Sequence, residues 1–310
     1  TVLVTALTVA EPLFTSSPAE TRASAASPTT RFEAGTPCRL ADVRNSTGFE
    51  RVDSKIVRVV VSGRCGVPAE ATAVALTVTV DNLAYADSGY VTIWPEGAPI
   101  PTASIVNYRP RQVRANGAIV SIGVGGAVDL FTLNGAPVIV DVTGWFVPAD
   151  AATSGRFVPI TPTRAVDTRA APRARPLDPG ETLAVALLPG IPADASAVAI
   201  TITSTQSPGP NYFAVAPGGS PRTATSVLNT DAAGQTRASG TIVGVTSAGL
   251  DVFALNGGHV IVDVTGWFTG VSAPSGRDGL FVASPTPSRL ADTRAGDPIW
   301  ANGAIEIANV

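Results

Sequence analysis

Asp129-Leu-Phe-Thr-Leu-Asn-Gly-Ala-Pro-Val-Ile-Val-Asp-Val-Thr-Gly-Trp-Phe146 returns almost letter for letter as Asp251-Val-Phe-Ala-Leu-Asn-Gly-Gly-His-Val-Ile-Val-Asp-Val-Thr-Gly-Trp-Phe268. Asn134-Gly135 and Asn256-Gly257 are the strongest short hairpin signal, because a type I′ turn needs positive φ at both central residues. After the turn the residues alternate: Val138, Val140 and Val142 fall on one face, and Ile139, Asp141 and Thr143 on the other. The pattern predicts a β-hairpin ending in Gly-Trp-Phe that closes each of two similar units.

Working outward, a second phrase recurs. Thr36-Pro37-Cys38-Arg39-Leu40-Ala41-Asp42-Val43-Arg44 is matched by Thr161-Pro162-Thr163-Arg164-Ala165-Val166-Asp167-Thr168-Arg169 and by Thr286-Pro287-Ser288-Arg289-Leu290-Ala291-Asp292-Thr293-Arg294, 125 residues apart each time. That period is too long for a solenoid and right for tandem domains. Between the two phrases lie Val74, Leu76, Val78 and Val80 on one face and Ala73, Ala75, Thr77 and Thr79 on the other, the period of a half-buried strand. Further short strands are predicted at 90–94, 104–108 and 117–123, with counterparts at 212–216, 226–230 and 240–245. No helix of ordinary length is expected. The fold class is therefore all-β. Tandem antiparallel β-sandwich domains come first and small barrels second. The predicted organisation is a leader remnant and linker over 1–30, one β-domain over 31–150, a second over 156–270, and the start of a truncated third repeat over 280–310. The boundary between the first two falls at Ala151-Ala152-Thr153-Ser154-Gly155.

Composition agrees with a turn-rich chain: hydrophobic residues are 45% and charged residues 15%, with 30 glycines and 26 prolines in 310 residues. A net charge of −3 gives no reason to expect nucleic acid or an anionic membrane as partner. Thr1 to Ala10 is apolar and far short of the roughly 20 residues a membrane span needs. It reads as the remnant of a signal-peptide core, with Thr8-Val9-Ala10 and Ala23-Ser24-Ala25 as small-residue cleavage sites. Methionine is absent even at position 1, the mark of a processed chain or a fragment.

Pro-x-Arg-Leu-x-Asp-Thr-Arg, then Val-Pro-x-x-Ala-x-Ala-Val, then Val-Asp-Val-x-Gly-Trp-Phe resembles a repeat of secreted proteins from actinobacteria and their relatives, over nearly all of 31–270 and the final stub. Those repeats sit in tandem, alone or beside peptidoglycan amidases, peptidases or glycoside hydrolases. The resemblance implies a secreted or cell-surface module without catalysis of its own, contacting the cell envelope, a polysaccharide or a surface protein. The alternative it implies is the accessory region of an exported hydrolase. The first unit departs from the pattern with Val43 and with its cysteines.

Catalytic residues, metal ligands and cofactors are not predicted. His259 is the only histidine, and neither a Gly-x-Ser-x-Gly elbow nor a phosphate loop occurs. Asp81, Asn82 and Asp87 are weighed as a calcium loop and read instead as solvated, because the second unit has Ser204-Thr205-Gln206-Ser207 nearby. Asp42 with Arg44, Asp167 with Arg169 and Asp292 with Arg294 are expected on one strand face, as ion pairs that lock the first strand rather than as an anion or sugar site. Asp141 and Asp263, inside apolar strands and without a partner base for catalysis, are given a capping or turn-bonding role. Tyr90 and Trp94, four apart in a strand, are the candidate binding residues, as exposed rings that stack on sugars or anchor a protein. Cys38 and Cys65 are the only cysteines. They align with Thr163 and Pro189, so both thiols are missing together from the second unit, as a bonded pair would be.

Overall fold

The computed structural model describes residues 28–284 together with Arg289 and Thr293. The first unit contains β1 (Thr30–Asp42), β2 (Glu50–Arg51), β3 (Ile56–Val60), β4 (Ala73–Asp81), β5 (Gly89–Pro95), β6 (Val106–Tyr108), β7 (Val113–Ser121), β8 (Ala127–Thr132) and β9 (Val138–Pro148). The second contains β10 (Phe157–Asp167), β11 (Thr182–Val185), β12 (Ala197–Thr205), β13 (Asn211–Pro217), β14 (Leu228–Thr230), β15 (Arg237–Gly244), β16 (Leu250–Ala254) and β17 (His259–Phe268). Among the described residues the only helical element is the 3-10 turn Val43–Asn45. The leader remnant, Asp292 and Arg294 lie outside the described residues.

Each unit is a sandwich of two antiparallel sheets, in the order β1-β9-β4-β7 over β2-β3-β8-β5-β6, and β10-β17-β12-β15 over β11-β16-β13-β14. No described strand belongs to two sheets, which separates this fold from a barrel. The orders match strand for strand, with β2 the one addition. Alternation places the core. Val74, Leu76, Val78, Val138, Val140 and Val142 from one sheet meet Val57, Val59, Val91, Ile93, Val128 and Leu130 from the other. Ile200, Ile202, Val260 and Val262 meet Phe213, Val215, Leu250 and Val252 in the second unit.

The hairpin expected at Asn-Gly is not there. β8 and β9 lie in different sheets, as do β16 and β17, so each Asn-Gly segment carries the chain around a corner between layers. Only the glycine takes positive φ: Gly135 has φ +75° and Gly257 has φ +73°. A type I′ turn needs both residues there. Asn134 acts instead through its side chain. Its Oδ1 accepts from the Tyr108 hydroxyl at 2.6 Å and from the Ala136 N–H at 3.2 Å, and its Nδ2 donates to Asn82 Oδ1 at 2.9 Å.

The Gly-Trp-Phe ending has a packing cause. β9 slips register against β4 between Ala75 and Leu76, and β17 slips against β12 at the equivalent Ala199 and Ile200. After the slip, Trp145 packs on the core of its own unit while Phe146 points the other way. A Cβ on Gly144 would stand 2.5 Å from the Glu33 carbonyl oxygen, and one on Gly266 would stand 2.9 Å from that of Val158. Glycine is what lets the neighbouring strand approach.

The two units are joined by a packed junction. Phe32, Ala73, Ala75, Phe146, Ala197, Phe268 and Ala283 form a third buried cluster distinct from the two cores. β15 runs over the Ala73, Ala75, Thr77 and Thr79 face of β4, all buried. The matching Ala199, Thr201 and Thr203 of β12 are only half-buried. Polar bonds reinforce the seam: Val113 N–H donates to Asp231 Oδ1 at 2.6 Å, and Arg39 Nη2 donates to the Ala224 carbonyl at 2.8 Å. The linker is tied down too, with Phe32 N–H donating to the Gly155 carbonyl at 2.8 Å. Beyond the second unit, Phe281 exchanges two backbone bonds with Thr30, at 2.7 and 2.8 Å.

Candidate functional site

The repeated charged residues are spent internally. Asp42 ends β1, and Arg44 sits in the 3-10 turn that follows, so the two do not share a strand face. Asp42 caps that turn. Its Oδ1 accepts the Arg44 backbone N–H at 3.1 Å and Nε at 2.9 Å, and its Oδ2 accepts Nη2 at 2.8 Å. Asp167 and Arg169 repeat this at 3.0, 2.9 and 2.7 Å. The Arg169 hydrogen bonds hold the Asp167 carboxyl down at about 2, and those of Arg44 lower Asp42 as well. Both oxygens of each of these carboxylates are engaged by the paired arginine.

Asp141 and Asp263 do have basic partners. Antiparallel register sets Arg39 opposite Asp141 and Arg164 opposite Asp263. Arg39 donates from Nε at 2.9 Å and Nη2 at 3.3 Å, and Arg164 at 2.9 and 3.2 Å. The sequence carries the signal, since the arginine of Pro-x-Arg recurs in all three phrases. Periodicity along one strand could not show what lies across the ladder. Burial raises the Asp141 carboxyl above its ordinary value even with Arg39 beside it.

Tyr90 and Trp94 do not form an exposed platform. Trp94 is 3% exposed, because β5 is buried from Val91 to Pro95. Its large ring is withdrawn from water. Tyr90 is half-buried and packs on Phe131 at 5.8 Å between centroids; Tyr212 and Phe253 repeat that pair at 5.8 Å. The Asp81–Asn82–Asp87 loop is a staple. Asn82 is wholly buried and donates to the Asp87 and Arg109 carbonyls, both at 2.9 Å, while Asp81 pairs with Arg44 at 3.3 Å. No group of three or more His, Cys, Asp or Glu suited to a metal occurs among the described residues. Cys38 and Cys65 are bonded, with Cα atoms 5.9 Å apart, which ties β1 to the loop after β3.

Two clefts open at the junction. A cleft of about 600 Å³ separates the β4–β7–β9 face of the first unit from the β12–β15–β17 face of the second. Its walls are apolar and aromatic. Phe146 packs on Phe281 at 4.5 Å between centroids and Phe157 on Phe268 at 5.2 Å. Thr201, Thr241 and Thr265 supply hydroxyls. The size and lining suit a small uncharged ligand or one segment of a polymer. A second cleft of about 590 Å³ at the same seam is polar and lined by arginine and glutamine.

No family model matches the chain, and no curated protein matches it. Among solved structures, the N-terminal CBM22-1–CBM22-2 tandem domain of Paenibacillus barcinonensis Xyn10C is similar at 12% identity, over 77% of this chain and 99% of that one, with a TM-score of 0.23. The Macrobrachium rosenbergii nodavirus structure aligns at 10% identity over 84% and 95%, with a TM-score of 0.19. The insecticidal delta-endotoxin Cry8Ea1 of Bacillus thuringiensis aligns at 9% identity over 80% and 54%, with a TM-score of 0.18. At such TM-scores these likenesses carry no argument about function, and the chain stands on its own geometry as a tandem all-β protein.

Proposed function

We propose that this chain is a non-catalytic extracellular binding module that holds a neutral polysaccharide of the cell envelope in the apolar cleft between its two units. The observation that carries the reading is where the chemistry sits. The repeated acids are closed in arginine pairs, while the aromatic and threonine side chains of both units converge on one open cleft. The Cys38–Cys65 bond supports an oxidising location. No described helix is long and apolar enough to cross a membrane.

The test is a pull-down of the full chain on cell-wall and polysaccharide fractions, beside Ala199→Trp, whose indole fills the cleft. Binding by the parent is expected to change little with salt, because no ion release is involved, and to fall at least about tenfold in the variant. Turnover of a glycan or peptide by the purified chain overturns the reading. So does binding that Ala199→Trp leaves intact.

A further inference from the structure

The second cleft at the junction has a construction of its own. Gln112-Val113-Arg114-Ala115-Asn116-Gly117 opens β7, and Gln235-Thr236-Arg237-Ala238-Ser239-Gly240 opens β15 at the equivalent place. The packing of β15 against β7 brings these two copies of Gln-x-Arg-Ala-x-Gly into one cleft, with Arg109 beside them.

Its lining presents donors. Gln112 Oε1 accepts the Arg109 backbone N–H at 3.1 Å, and Gln235 Oε1 accepts that of Asp231 at 2.8 Å. Each glutamine is left with its amide NH2. Arg237 is 8% exposed; its Nε donates to Gln235 at 3.1 Å and its Nη2 to Asp231 at 2.5 Å. Its Nη1 is buried with no partner among the described residues. Asp231 beside the cleft is engaged at both oxygens, the other accepting Val113 N–H at 2.6 Å, and its charge partly offsets the repulsion on Arg114. Neither Arg109 nor Arg114 has a carboxylate partner among the described residues. Burial, together with the fields of Arg237 and Arg109, holds the Arg114 guanidinium below its ordinary value.

We infer that the two Gln-x-Arg segments form a bipartite oxyanion site, taking a carboxylate, sulfate or phosphate group between Arg114 of the first unit and Arg237 of the second. Guanidinium groups match such oxygens in a planar fork, and the glutamine NH2 groups complete the shell. Three guanidinium groups against one occupied carboxylate repel one another, and an anion relieves that repulsion. The site belongs to neither unit alone. It stands independently of the apolar cleft.

Calorimetric titration of the full chain with sodium sulfate, sodium phosphate and sodium glucuronate, with glucose as neutral control, tests this. One site per chain is expected, weakening as chloride rises. Arg114→Gln should bind at least about tenfold more weakly with an unchanged melting temperature. The tightest of the three anions identifies the group. Failure of all three to saturate, equal binding of glucose, or undiminished binding by Arg114→Gln overturns the assignment.

Discussion

The repeat supplies its own control for the worth of a buried ion pair. Arg39–Asp141 and Arg164–Asp263 have the same register and nearly the same bonds, but Asp141 has 1% of its side chain exposed and Asp263 has 28%. Replacing either arginine by methionine keeps the aliphatic stem and removes the charge. Arg39→Met strands a carboxylate that water cannot reach, and such losses run to about 3–5 kcal/mol. Arg164→Met leaves a carboxylate that water can serve, at about 0–1 kcal/mol. For a unit of this size the first loss lowers the transition by roughly 10–20 °C. The pH dependence has a definite sign. Burial already raises the Asp141 carboxyl, and removing Arg39 raises it further. A raised carboxyl weakens the fold while it is ionised, and the penalty fades as pH falls through its value. Arg39→Met should therefore lose most near about pH 7 and less near about pH 5. Urea unfolding of both variants at the two pH values measures this. Equal losses from the two substitutions, or an Arg39→Met loss that does not shrink in acid, refutes the reasoning.

Reduction of Cys38–Cys65 opens a loop with a sequence separation of 27, which in the chain-entropy model weakens the fold by about 3–4 kcal/mol. Calorimetry with and without reductant should show a lower transition for the first unit only; an equal fall in the second contradicts the assignment. In the second unit, Arg169 holds Asp167 at about 2, and Arg175 first, then Arg173, hold Glu181 at about 2. A depressed carboxyl stabilises above its unfolded value and ceases to as pH falls through the folded one. The parent should lose stability between about pH 4.5 and 2, more steeply than Asp167→Asn/Glu181→Gln; identical acid profiles by circular dichroism count against the linkage.

Much of the fold was legible because period-2 alternation names both strands and their buried faces. Val74 to Val80 and Val138 to Val142 are where that pattern puts them. The Asn-Gly reading failed because local turn chemistry says nothing about which sheet the next strand joins. Here the asparagine side chain holds a corner between layers. Arg39 and Arg164 were missed because cross-strand partners depend on register, and their bulges fall inside β1 and β10, between Ala34 and Cys38 and between Pro159 and Thr163. Trp94 was misjudged because spacing fixes which face a ring takes and not whether that face is covered. The Gln-x-Arg pair is visible as a repeated motif, but its convergence belongs to the junction alone.

The two backbone bonds between Thr30 and Phe281 set the chain's entrance and exit side by side. An in-line spacer keeps its ends at opposite poles and carries tension along its length. This pair of sandwiches is a pendant. A pull applied to the sequence on either side bears on the short Thr30–Phe281 clasp before it reaches either core. Both ends of the described body therefore leave it from one side.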